Sequence, residues 1–224
     1  MNNLKRFYFF AFIIFYISIF LLKYYDINQV SKYIIPFFVF TVFAYSLTSA
    51  IKQGGSYLLP LGLFFCVIGD TLINLTSIGS LSVLAFSLTH TCLIIFYFSI
   101  KKFEKSDILV LLAVFLLSAI IYVTIFGDIK TKLEQIVFTC YLCVLTIMLW
   151  RAFCTLKSGI SKKNKIFIVV GSTLFFATDV LVCLQEIYDY KIFETLTWVF
   201  YQPALYLLSI IEIKSPENEL EIPN

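Results

Sequence analysis

Asp70, His90 and Asp179 lie deep inside stretches that otherwise suit a hydrocarbon environment. A charged side chain there costs several kcal/mol unless something compensates. Such residues face a bundle interior or a wet cavity, where they move protons, line an ion path or simply bond one helix to another. His90 is the only histidine in the chain. Asp70 in "CVIGDTLINL" and Asp179 in "FFATDVLVCL" each stand five residues before the end of an apolar run, at Leu75 and Leu184. At 1.5 Å per residue both sit about 7 Å below the same hydrocarbon edge. Two carboxylates at matched depth point to one shared site.

Helical spacing gives each of these residues polar company. Asp70 shares a face with Gly62, Cys66, Asn74 and Ser77, and Asp179 with Gly171, Ser172 and Cys183. His90 has Ser87 and Tyr97, while Gln202 lines up with Thr195, Trp198, Tyr206 and Ser209. Thr41, Tyr45 and Thr48 form a similar stripe. Turned inward, these stripes would enclose a polar, partly aromatic pocket. His90, Gln202, Asn74, Trp198 and Tyr45 are therefore candidate supporting or substrate-binding residues around Asp70 and Asp179.

The elements that must position them follow from composition. Of 224 residues, 60% are hydrophobic and only 14% charged. Mean hydropathy is +0.93. So few charges cannot cover a soluble core of this size. The expected fold is all-α, a polytopic membrane protein. Runs of about 20 apolar residues each span a bilayer, and eight are legible: 4–22, 33–51, 57–75, 79–100, 107–126, 134–153, 165–184 and 192–213. Residues 1–213 read as one transmembrane domain and 214–224 as a disordered acidic tail. Lys5-Arg6 precede the first run, but no small-x-small cleavage site follows, which predicts a retained helix. Twelve Lys/Arg fall on the side of the termini and five on the other. That balance predicts both termini in the cytoplasm.

The net charge of +3 is too mild to suggest nucleic acid as a partner. Six cysteines all adjoin apolar runs and read as free thiols. Cys140-x-x-Cys143 has redox spacing, yet it falls mid-helix and reads as small packing residues. One histidine and scattered thiols do not predict a zinc site. No Gly-rich phosphate loop or GxSxG elbow is present.

"GLFFCVIGDTLINL" and "GSTLFFATDVLVCL" share a Gly eight residues before Asp, and Leu two and five residues after it. Their separation is 109 residues, close to half the chain. A four-plus-four pseudo-repeat about an axis along the membrane normal would produce this.

In order along the chain, these motifs resemble the YhhN-type lysoplasmalogenase family. Gly69-Asp70 followed by the Phe86-to-His90 helix is similar to its first signature. Thr178-Asp179 resembles the second, and "TLTWVFYQPALYLL" the closing helix, with Gln202 at the family's glutamine. The chain departs from the family where Ile35 precedes Pro36 in place of a lysine, where Leu93 follows His90 in place of a tyrosine, and at Trp198. The resemblance implies an integral membrane ether hydrolase needing no metal or organic cofactor. It would cleave the vinyl ether of lysoplasmalogens to a fatty aldehyde and glycerophosphoethanolamine or glycerophosphocholine. The partners implied are the lysophospholipid and membrane lipids. Vinyl ether hydrolysis begins with protonation of the carbon beta to oxygen, so it needs a protonated acid and an ionised partner. Asp70 and Asp179 are the pair to supply them, and the more apolar surroundings of Asp70 favour it as the acid. A proton-coupled transporter using the same buried Asp and His residues is the alternative.

Overall fold

The computed structural model describes residues 3–76 and 79–212. They form eight α-helices: α1 (Asn3–Tyr24), α2 (Asn28–Gln53), α3 (Leu58–Thr71), α4 (Gly79–Ile100), α5 (Asp107–Ile125), α6 (Lys132–Cys154), α7 (Lys162–Tyr188) and α8 (Lys191–Ser209). No strand occurs among the described residues. The expected acidic tail and Ser77 lie outside them.

Local chemistry sets several helix ends. Thr131 and Glu134 form a reciprocal capping box that starts α6. The Ser161 hydroxyl caps the Asn164 N–H at the start of α7. α2 stops at Gly54, whose φ of 61° favours a residue without Cβ and whose N–H bonds the Ala50 carbonyl. The last turn of the third span is not α-helical: Leu72–Thr76 winds as a π-helix directly after Asp70. Such turns concentrate at functional sites.

Among the described residues seven helices are long and apolar enough to cross a membrane, which makes this a multi-pass membrane protein. The eighth expected span, α8, falls short of that measure. It carries Lys191, Glu194, Gln202 and several hydroxyls, and it ends at Ser209, before the expected boundary at 213. Thr197, Gln202 and Ser209 are sheltered by protein, while Lys191 at its start is exposed: α8 packs most closely on α7 and also touches α1, α2 and α3. α5 is the opposite case. It packs on α6, while Leu109, Phe115 and Val123 are left exposed to face lipid.

Buried residues from all eight helices make one core. α3 with α4, and α7 with α8, are the most closely packed pairs. In both pairs the glycine eight residues before the aspartate sits at the contact. A Cβ on Gly62 would lie 3.2 Å from Cys92 Cβ and 3.3 Å from the Thr89 carbonyl oxygen; one on Gly171 would lie 3.0 Å from Leu208. The two related segments thus solve the same packing problem in the same way. Both described chain ends lie at one end of the bundle, where Tyr8 and Ser209 hydroxyls bond at 2.8 Å and Lys5 pairs with Glu212. This will be called the terminal end.

Candidate active site

Asp70 is buried at 3% exposure on α3. Close approach of α4 puts it there. A Cβ on Gly69 would come within 2.9 Å of the Phe86 ring, so only glycine admits this contact. Below it, Thr89 reaches across to the Gly62 carbonyl at 3.1 Å, and the Cys66 thiol meets the Thr89 hydroxyl at 3.5 Å. The Tyr201 hydroxyl, from α8, donates a hydrogen bond to Asp70 Oδ2. Within the π turn, the Asn74 amide donates to the Asp70 backbone carbonyl at 2.8 Å.

Asp179 comes from α7, with 10% of its side chain exposed. Its Oδ2 lies 2.9 Å from Nε2 of His90, which is fully buried on α4. The contact is close in distance but is not aligned as a hydrogen bond. The same His90 nitrogen lies 3.1 Å from the Tyr141 hydroxyl, supplied by α6.

Phe175 joins the two halves. Its ring meets His90 edge-on at 4.7 Å between centroids and Tyr201 at 5.7 Å. The Cys66 thiol lies within the field of both carboxylates. The carboxylates also lie within one another's field. Among the described residues, neither is paired with a lysine or arginine. Nor is any group of three or more His, Cys, Asp or Glu side chains placed to hold a metal ion.

Among the described residues, three buried polar atoms of the sequence-derived site make no hydrogen bond: His90 Nδ1, Asp179 Oδ2 and Gln202 Oε1. Buried polar atoms are nearly always satisfied in native structures, so each is a position where a water or substrate hydroxyl would gain a bond. Five helices therefore contribute to one buried cluster of two carboxyls, an imidazole and two phenols. Such a set can deliver a proton and take one back.

A family model described as the YhhN family matches residues 30–210. The chain belongs to the YhhN family. No curated protein and no solved structure matches it.

In this YhhN protein the sequence-derived site residues are partly gathered. Asp70, His90 and Asp179 come together. Gln202 is fully buried on α8, next to Tyr201 in the chain, and its amide donates to the Trp198 carbonyl at 3.5 Å. Trp198 is half-buried, edge-on to Tyr201 at 6.0 Å. Asn74 is engaged with backbone. Tyr45 is elsewhere: it stacks on Tyr8 at 3.8 Å, at the terminal end. The Thr41–Thr48 stripe runs toward that end because α2 passes the aspartates before reaching residue 45.

Tyr201, Tyr141 and Phe175 were not singled out from sequence. Tyr201 is the immediate neighbour of Gln202, one helical step from the stripe that drew attention. Tyr141 lies inside the Cys140–Cys143 motif, whose cysteines are both exposed and do not pack between helices as expected. All six cysteines are free.

Proposed function

We propose that the protein hydrolyses the vinyl ether bond of lysoplasmalogens, releasing a fatty aldehyde and a glycerophospho-base. YhhN family membership is consistent with that reaction. The observation that carries the reading is the burial of Asp70 and Asp179 in one side-chain cluster, Asp70 accepting from Tyr201 and Asp179 lying 2.9 Å from His90, with no lysine or arginine paired to either among the described residues.

In this reading Asp70 is the acid. It is the more enclosed carboxyl, and a charge there would be the costlier of the two. Tyr201 occupies Oδ2 and leaves Oδ1 to carry the proton. That proton goes to the alkenyl carbon beta to oxygen and produces an oxocarbenium ion. Ionised Asp179 stabilises the cation and takes a proton from the water that attacks it. The resulting hemiacetal collapses to aldehyde and alcohol, and one water is consumed overall. His90 and Tyr141 orient Asp179. Gln202 Oε1 is free to accept from the attacking water or the glycerol hydroxyl. The alkenyl chain lies toward the Phe-rich, lipid-facing helices.

The test is aldehyde release from a lysoplasmenyl-ethanolamine by protein purified in detergent, with chelator present. Aldehyde from the unaltered protein, lost in Asp70→Asn and Asp179→Asn, supports the reading. No aldehyde from folded protein overturns it, and proton-dependent solute uptake into vesicles would then mark a transporter.

A further inference from the structure

A cavity of about 190 Å³ opens at the terminal end, away from the aspartates. Lys5, Phe9, Tyr45, Lys163, Tyr206, Ile210 and Glu212 line it. Its floor is a set of stacked rings. Tyr8 lies on Tyr45 at 3.8 Å and on Tyr206 at 5.4 Å, and Phe12 lies on Tyr206 at 4.2 Å. Packing this tight makes the floor rigid. The Tyr8 hydroxyl is spent on Ser209. Among the described residues the Tyr45 and Tyr206 hydroxyls have no hydrogen-bond partner, and both residues line the cavity.

The mouth carries the charge. Among the described residues Lys163 has no carboxylate partner; its ammonium rests 5.3 Å from the Phe167 ring. Lys5 pairs with Glu212. Glu212 is held in place by its backbone: Asn164 donates to its carbonyl at 2.6 Å and accepts from its N–H at 3.4 Å. Among the described residues, two ammonium groups against one carboxylate leave a net positive rim over two phenols. That pattern suits a tetrahedral oxyanion. The volume is below the roughly 300 Å³ of a pocket for a whole drug-sized ligand. It takes a headgroup, while any attached chain would lie outward along exposed Phe9.

We propose that this cavity is a phosphate-ester binding site, distinct from the aspartate cluster. Lys163 and Lys5 bind the phosphate charge, and Tyr45 and Tyr206 donate to its oxygens. Glu212 competes with the ligand for Lys5 and so weakens binding. The shared chemistry is a phosphate monoester or diester, carried either by a membrane lipid or by a soluble molecule.

The experiment uses the full chain in neutral detergent. Binding is measured for phosphatidic acid in mixed micelles, for diacylglycerol in the same micelles, and for glycerol phosphate in solution. Phosphatidic acid bound in preference to diacylglycerol supports a lipid source; glycerol phosphate binding supports a soluble one. Lys163→Gln and Tyr45→Phe should each weaken binding about fivefold or more. Glu212→Gln should tighten it severalfold, an outcome that misfolding cannot produce. Equal binding of phosphatidic acid and diacylglycerol with no glycerol phosphate bound, or Lys163→Gln and Glu212→Gln both unchanged, would overturn the proposal.

Discussion

The Tyr201 hydroxyl on α8 donates to Asp70 Oδ2 on α3, across 131 residues of chain. Both residues are buried, so the bond is sheltered from water. Tyr201→Phe leaves the carboxyl without its donor in nearly the same volume. We expect a loss of stability of about 1–3 kcal/mol, the cost of an unsatisfied buried group. Aldehyde release should fall at least about tenfold, because Oδ2 is then free to compete with Oδ1 for the proton. Thermal unfolding and turnover of the same preparation check both. Unchanged turnover would remove Tyr201 from the mechanism.

Replacing either aspartate by asparagine keeps shape and removes the acid or base. Turnover should drop by about 100-fold or more for each. The folded bundle should persist, since a neutral amide of the same shape puts no charge into the apolar interior. Full activity in both variants would sink the paired-acid mechanism.

Gly69 is the contact point that seats Asp70. Gly69→Ala would place a methyl 2.9 Å from the Phe86 ring. The strain should cost about 1–3 kcal/mol and lower activity by shifting the neighbouring aspartate. Gly69→Ala combined with Phe86→Leu should recover much of the melting temperature. A single variant as stable as the parent would show that the ring moves aside freely.

Away from the site, Lys101 contacts both Asp107 oxygens at 3.2 and 3.0 Å, and Glu104 at 3.3 Å. Desolvation pulls its pKa down, but the hydrogen bonds and charges of Asp107 and Glu104 outweigh it and hold the ammonium above its ordinary 10.5. A group whose pKa is raised in the folded state contributes its stability fully below the unfolded value and loses it as pH rises through the folded one. The melting temperature should therefore fall at pH above about 10.5, and Lys101→Met should lack that part of the alkaline loss. Parallel alkaline curves for the two proteins would dismiss the contribution.

Much of the architecture is legible in the residues alone. Water will not host apolar runs of about 20 residues, so helices in a membrane follow from their lengths. The ends move by a few residues where capping residues extend them, as Ser161 does for α7. Asp70, His90 and Asp179 declare themselves because a titratable group in oil carries a cost that calls for a reason. Gln202 and Trp198 follow from their spacing on one helix. Tyr45 shows the weakness of that argument: a stripe on a helix has no depth until the helix has neighbours.

Tyr201, Tyr141 and Phe175 could not be read in this way. The chain holds 14 tyrosines and 25 phenylalanines, and nothing local distinguishes those at the site. An aromatic residue in an apolar run is cheap wherever it stands, so its type carries no signal of position. Which hydroxyl meets which carboxylate depends on how α3, α4, α6, α7 and α8 pack, and that depends on glycines whose only property is what they allow to approach. Composition and the cost of buried charge thus settled the membrane, the helices and the ionisable trio. The partners of that trio, the π turn beside Asp70 and the second cavity at the terminal end arise from packing between segments far apart in the chain.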